Sequence, residues 1–334
     1  MSDAARVDPD SIRVFGLKGT TAFAERVADA VGVPLSRHEE REFEDGEHKA
    51  RPMVSVRDRD AYVVHSLYGE PGASPNDKLC RLLFFLGAVR DAGARRVTAV
   101  VPYLCYARKD RRTKSWDPVT TRYVATFFEA VGIDRLVTIE AHSVQALENA
   151  FRCRVEHLEA HAAFSRHLAA VIGGARAVVV SPDVGGAKRA EAFRERLERD
   201  IGRPVASAFV EKKRSEGVVS GNLLVGDVND RVAVIVDDMI GSGTTVQRAA
   251  RACRTGGARA VHAVATHGLF LPGASEAVGD ASVDGVAVTD TVPPYRIESD
   301  PVLGKVTVLT VAPLIGEAIR RLHLGGSLVD LLRS

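Results

Sequence analysis

The sequence predicts an α/β protein built on parallel sheets and divided into two domains. Short β-branched apolar runs, such as 96–102, 175–180 and 232–236, suit strands buried on both faces. Stretches with apolar residues at helical spacing follow them, and this strand–helix alternation recurs in each half of the chain. The length, 334 residues, is enough for two domains of ordinary size.

Composition excludes several function classes. A 46 % hydrophobic and 26 % charged chain describes a soluble globular protein. A net charge of +2 provides no global field for nucleic acid or membrane. No apolar stretch approaches a membrane-spanning length, and the first residues lack a signal-peptide core. Cys80, Cys105, Cys153 and Cys253 are widely spaced, which predicts reduced thiols in the cytoplasm rather than a disulfide frame or zinc site.

In chain order, the first ten residues are polar. Ser11 to Phe15 reads as a strand, and Thr20 to Val31 as a helix with Phe23, Val27 and Val31 on one face. The segment from Arg41 to Glu47 is an acidic turn around a lone Phe43, which by itself reads as a solvated hairpin. Ala61 to His65 is a strand, and Lys78 to Ala92 an amphipathic helix. The strand 96–102 leads into Arg108, Lys109 and Asp110, within a run of five cations ending at Lys114. Such loops are usually solvated, but at a strand's carboxyl end they face the crevice where α/β ligands bind. Arg135 to Ile139 ends on Glu140, Ala141 and His142. A lone histidine there is more often structural than a ligand.

Near His157 the chain crosses into its second domain. The strand 175–180 closes on Ser181-Pro182-Asp183-Val184-Gly185-Gly186, a tight turn presenting one carboxylate, which can also cap the next helix. Val205 to Val210 leads into Glu211-Lys212-Lys213-Arg214. Val232 to Val236 is the next strand, with Asp237 and Asp238 following at its carboxyl end. Ala258 to Ala265 and Val286 to Thr289 are further strands, and Ile315, Ile319, Leu322 and Leu324 mark a last helix returning to the first domain.

The most informative stretch runs from Val232 to Ala250. A strand, the loop Gly241-Ser242-Gly243-Thr244-Thr245 and a helix together make an anion site. Glycines admit the anion, first-turn amides point at it and hydroxyls add donors. A phosphate monoester is the expected occupant. Asp237 and Asp238 would repel that phosphate, so they are better placed for ribose hydroxyls or hydrated Mg²⁺. The loop matches neither GxxxxGK[ST] nor GxGxxG.

This stretch resembles the phosphoribosyl-binding signature shared by phosphoribosyltransferases and ribose-phosphate pyrophosphokinases. Phe43, Asp45 and Glu47 resemble the F-x-(D/N)-G-E segment of the pyrophosphokinases, in which the phenylalanine stacks on adenine across a subunit interface. The segment from Tyr103 to Arg112 resembles P-Y-x-x-Y-A-R-Q-D-R, whose arginine contacts the triphosphate; Lys109 stands where that motif has glutamine. His142 keeps the place of the histidine in D-L-H-A, and His65 replaces a usual glutamine. Asp183 lies in a full match to S-P-D-x-G-G, and Lys212 and Arg214 match the ends of the lid motif D-K-R-R.

The resemblance covers about residues 11 to 334 and implies two doubly wound parallel-sheet domains of phosphoribosyltransferase type. It divides the chain into an ATP-side domain, 1–157, a ribose 5-phosphate-side domain, 158–312, and a returning helix, 313–334. The implied reaction transfers the β,γ-diphosphoryl group of ATP to ribose 5-phosphate, with Mg²⁺ as cofactor at His142 and Asp183. Lys212 and Arg214 are then catalytic. Phe43, Asp45, Glu47, Arg108, Lys109, Asp110 and His142 bind ATP, while Asp237, Asp238 and Gly241 to Thr245 bind ribose 5-phosphate. It further implies a cytoplasmic homo-oligomer built from dimers, in some relatives a hexamer. A phosphoribosyltransferase consuming PRPP, a non-catalytic regulatory subunit, and a synthetase with altered donor or acceptor stay open as other readings. The second follows from Glu140-Ala141, the third from Lys109, His65 and Gly241.

Overall fold

The computed structural model describes residues 7–215 and 218–333, with the side chains of 212–222 left aside. The chain divides into two units, one of residues 1–159 with 311–334 and one of residues 160–310.

The first unit begins with β1 (Ile12–Gly16), α1 (Thr21–Val31) and the hairpin β2 (His38–Glu42) and β3 (His48–Pro52). It continues through β4 (Asp60–Val64), α2 (Pro75–Asp91), β5 (Arg96–Val100), α3 (Thr120–Ala130), β6 (Arg135–Ile139), α4 (Val144–Ala150) and β7 (Arg154–Leu158). The parallel sheet runs β1-β4-β5-β6-β7. A single parallel bridge from Val14 to Leu35 places the chain on the far side of β1 before it returns to β4. The winding direction therefore reverses at β1. Alternate residues of the strands face opposite layers. Phe15, Val63, Val97 and Leu136 share a core with Leu82, Phe85 and Leu86 of α2 and Phe128 of α3. On the other face Gly16 lies against α1 so closely that a Cβ would stand 2.2 Å from that of Ala24. Ser74 and Asp77 close a capping box on α2, with Pro75 in the first turn, so Asp77 acts in helix initiation.

The second unit holds α5 (His161–Ile172), β8 (Ala177–Ser181), α6 (Ala187–Ile201), β9 (Ala206–Ser215), β10 (Val218–Val225), β11 (Val232–Ile240) and α7 (Thr244–Thr255). It ends with β12 (Ala260–Gly268), α8 (Ala274–Gly279), β13 (Gly285–Thr289) and β14 (Val306–Leu309). Its sheet runs β10-β9-β8-β11-β12-β13-β14, parallel except for the β9–β10 hairpin. Here the order reverses between β8 and β11, so the crevice at their carboxyl ends is a topological switch point. Both sheets are doubly wound, as the resemblance implies.

The chain then returns to the first unit as α9 (Ala312–Leu324), followed by α10 (Leu328–Arg333). A Cβ on Gly316 would stand 2.5 Å from that of Ala30, so only glycine lets α9 approach α1 this closely. His323 at the end of α9 bonds through Nδ1 to Asp60, 2.7 Å away, and through Nε2 to the Ser11 hydroxyl at 2.8 Å. Asp60 is fully buried and also receives Arg96 and Arg95.

Candidate active site

The switch point of the second unit gathers most of the residues singled out there. β8 pairs with β11 only from Val232 to Ile235, while β11 runs on to Ile240 beside β12. The sequence places Asp237 and Asp238 after the strand; the structure places both within it, in the part that outruns β8. They still stand at the sheet edge. Asp238 is almost fully buried, and its amide donates to Asp237 Oδ1 over 2.9 Å.

A buried acid beside a half-buried one needs a counter-charge. Arg189, in the first turn of α6, provides it, with Nη1 at 3.4 Å from Asp237 and 3.3 Å from Asp238. Burial, together with the neighbouring Asp238, still pushes the Asp237 carboxyl upward from its ordinary value. Sequence reasoning missed Arg189; its only signal was a basic residue three places after the Gly-Gly turn. That turn places Asp183 nearby in the chain, with its Oδ1 accepting the Gly186 amide at 2.9 Å and its backbone carbonyl accepting the Ser181 hydroxyl at 2.6 Å.

The chain leaves β11 through Gly241 and Ser242 and enters α7 at Gly243, whose φ is +75°. A Cβ on Gly243 would meet that of Ala277 at 2.7 Å, so both backbone angle and space require glycine. The Ser242 and Thr244 hydroxyls lie 3.0 Å apart, and both residues are exposed. Gln247 donates the first helical amide bond, to Gly243 at 2.9 Å, which leaves the amides before it available to an anion. Beneath this edge, the Thr289 hydroxyl donates to the Thr266 carbonyl at 2.7 Å and His267 Nδ1 meets the Thr291 hydroxyl at 2.9 Å. All four residues are buried, and they fix the strand ends beside the acids.

In the first unit, Phe43, Asp45 and Glu47 form the exposed tip of the β2–β3 hairpin. The turn closes through Phe43 N donating to Glu47 O at 2.8 Å and Glu47 N donating to Asp45 Oδ1 at 3.1 Å. Arg41 lies over the Phe43 ring, 5.3 Å from its centre. The base is anchored instead, with His48 stacked on Phe84 of α2 at 5.4 Å and Arg81 bonded to Glu42 at 2.9 Å. Arg108 and Lys109 are exposed and Asp110 half-buried in the loop after β5, and His142 is exposed after the neighbouring β6. These loops thus leave the same edge of the sheet. The side chains of Lys212 and Arg214 lie outside the described residues; their backbone belongs to β9, opposite Asn222 and Val219 of β10. Among the described residues no group of three or more His, Cys, Asp or Glu is arranged to hold a metal ion.

Residues 12–132 match the model of the N-terminal domain of ribose phosphate pyrophosphokinase, and residues 218–333 that of the phosphoribosyl synthetase-associated domain. The chain is 34 % identical to ribose-phosphate pyrophosphokinase A of Dictyostelium discoideum, over 96 % of this chain and 98 % of that protein. The chain belongs to the ribose-phosphate pyrophosphokinase family. A relative from Haemophilus ducreyi, named ribose-phosphate pyrophosphokinase, is 36 % identical over 94 % of this chain and 96 % of its own. The crystal structure of phosphoribosylpyrophosphate synthetase from Mycobacterium smegmatis superposes with a TM-score of 0.84 at 31 % identity, covering 95 % of this chain and all of that one. The relatives so named are enzymes, and this chain is an enzyme that shares their fold over 95 % of its length. No helix among the described residues is long and apolar enough to cross a membrane.

Proposed function

We propose that this enzyme transfers the β,γ-diphosphoryl group of ATP to the 1-hydroxyl of ribose 5-phosphate, forming PRPP and AMP for nucleotide synthesis. The acid pair followed by the glycine-hydroxyl loop, within a chain of this family, carries the reading. The ribose C1 oxygen bonds to the β-phosphorus. The bond from that phosphorus to the oxygen bridging the α and β phosphates breaks, AMP departs with that oxygen, and the hydroxyl proton goes to solvent.

Such a displacement depends on positioning and charge more than on covalent help. Ser242, Thr244, Thr245 and the free amides at the start of α7 seat the 5-phosphate. Asp237 and Asp238 accept the ribose hydroxyls while Arg189 limits their repulsion of the phosphates. Phe43 stacks on adenine, Asp45 and Glu47 accept from it, and Arg108, with Lys109 and Asp110 beside it, meets the triphosphate. Lys212 and Arg214 neutralise the charge that develops in the transition state.

The donor set suits Mg²⁺ carried in by the nucleotide. A magnesium ion keeps several waters and is held through one or two protein groups plus substrate phosphates. Asp183 in the second unit and His142 in the first are each a candidate to hold it, and it would supply charge neutralisation to the phosphates.

Incubation with ATP, ribose 5-phosphate and Mg²⁺, followed by ³¹P NMR, tests the reading. AMP and PRPP in equal amounts are expected. ADP with a singly phosphorylated sugar, or no product with any nucleotide donor, would overturn it. Self-association through the exposed Phe43 hairpin belongs to the same proposal, and an enforced monomer is expected to be inactive.

A further inference from the structure

Arg108 sits in a tight turn. The Lys109 amide donates to the Tyr106 carbonyl at 3.0 Å, which makes Ala107 and Arg108 the two central residues. One residue of α3 holds both ends of this turn. The Thr121 hydroxyl donates to the Tyr106 carbonyl at 2.9 Å, and the Thr121 amide donates to the Lys109 carbonyl at 3.2 Å. Thr121 is buried in the first turn of its helix, where amides have no partner within the helix and where Val119 offers no side-chain cap. Tyr106 has a φ of +62°, a left-handed backbone that is unfavourable for a bulky residue. Such a conformation persists where its surroundings over-determine it, and such residues gather at functional sites. Its hydroxyl bonds to the side chain of Asn76 in the first turn of α2, so a second helix holds the same residue. The start of the loop is tied as well, with the Tyr103 amide donating to Ser66 Oγ at 3.1 Å and the Tyr103 carbonyl accepting the Leu67 amide at 2.9 Å. These bonds fix the backbone on either side of the exposed Arg108.

We infer that Thr121 and Tyr106 are positioning residues for nucleotide binding, which fix the turn from which Arg108 meets the triphosphate. An arginine on a loose loop loses conformational freedom when a phosphate orders it. One on a turn already fixed loses less, and the phosphate is held more tightly. The inference rests on the assignment of Arg108 to the triphosphate, and its test separates the two.

Calorimetric titration of the full chain with Mg²⁺–ATP, and separately with ribose 5-phosphate, provides that test. Thr121→Val keeps the shape and loses the hydroxyl, and is expected to weaken ATP about five- to tenfold, the effect of one hydrogen bond. Thr121→Ser, which keeps the hydroxyl, should bind ATP as the parent does. Tyr106→Phe releases Asn76 and should weaken ATP about threefold. None of the three should alter ribose 5-phosphate binding, which a general loss of structure would lower too. In an Arg108→Ala background, Thr121→Val should have little further effect on ATP. An undiminished effect in that background would overturn the positioning role while leaving Arg108 at the triphosphate. So would unchanged ATP binding in Thr121→Val, equal losses of ATP and ribose 5-phosphate, or Thr121→Ser behaving as Thr121→Val. If Arg108→Ala binds ATP as tightly as the parent, the positioning role and the assignment of Arg108 both fall.

Discussion

The Arg189 guanidinium stands 3.4 Å from a carboxylate oxygen of Asp237 and 3.3 Å from one of Asp238, so a single residue of α6 holds both acids at the end of β11. Removing it takes that guanidinium away from two carboxylates packed together. Arg189→Leu is expected to lower stability by about 3 kcal/mol and to raise the KM for ribose 5-phosphate more than it lowers kcat. Denaturant titration and steady-state kinetics on the same preparation check both parts.

Asp237 yields a prediction of opposite sign. Its carboxyl is raised in the folded protein, by burial first and then by Asp238. Between the ordinary carboxyl value and the raised one, the folded state binds more protons than the unfolded, so stability falls as pH rises. Asp237→Asn should therefore raise Tm at alkaline pH and flatten its pH dependence while activity drops. A Tm below that of the parent at every pH would refute this account of the pair.

Gly243 joins a left-handed backbone to a close approach, with a Cβ only 2.7 Å from that of Ala277. Gly243→Ala is expected to cost about 1–3 kcal/mol and to weaken ribose 5-phosphate binding, since the loop must shift. Adding Ala277→Gly relieves the contact but not the φ of +75°, so it should restore only part of the loss. Calorimetric melting of the single and double variants measures that fraction.

Lys212→Ala separates binding from chemistry. Turnover should fall on the order of 100-fold or more, as when one charge-stabilising donor is removed, while ribose 5-phosphate binding by calorimetry stays unchanged. Unaltered turnover would remove Lys212 from the mechanism.

Asp60 predicts acid behaviour. Burial works to raise its carboxyl, yet hydrogen bonds from Arg96 and His323 hold it below the usual value. Its contribution is thus present above the ordinary carboxyl value and lost as pH falls through the lowered folded value. Asp60→Asn should cost about 2 kcal/mol at neutral pH and less in acid. Urea midpoints across that range give the comparison.

The parts of the fold legible in the sequence are those with strong local patterns. The apolar runs ending at Asp237 and at Ser181 read as buried strands, and the glycine-hydroxyl loop as a helix entry, because periodicity and backbone chemistry are local properties. The extension of β11 to Ile240 was not legible, since Asp-Asp-Met resembles a loop until β12 pairs with it. Arg189 was missed for a related reason: its partners lie 48 residues or more away, and nothing local marks a basic residue of a helix's first turn as one that reaches a strand end. Lys78 read only as the start of an amphipathic helix, and its burial was not legible: it meets Glu70 at 2.7 Å and lies 3.5 Å from the centre of the Tyr68 ring.

The return of α9 to α1 has a consequence for how the chain is made. On the ribosome, residues 160–310 are contiguous and emerge as a block, so the second unit can complete itself as soon as β14 is clear of the exit tunnel. The first unit, although synthesised earlier, keeps the face of α1 around Ala30 uncovered until residues 312–324 follow. The order of synthesis and the order of completion are therefore inverted, and a nascent chain halted before α9 would leave its older half as the client for a chaperone.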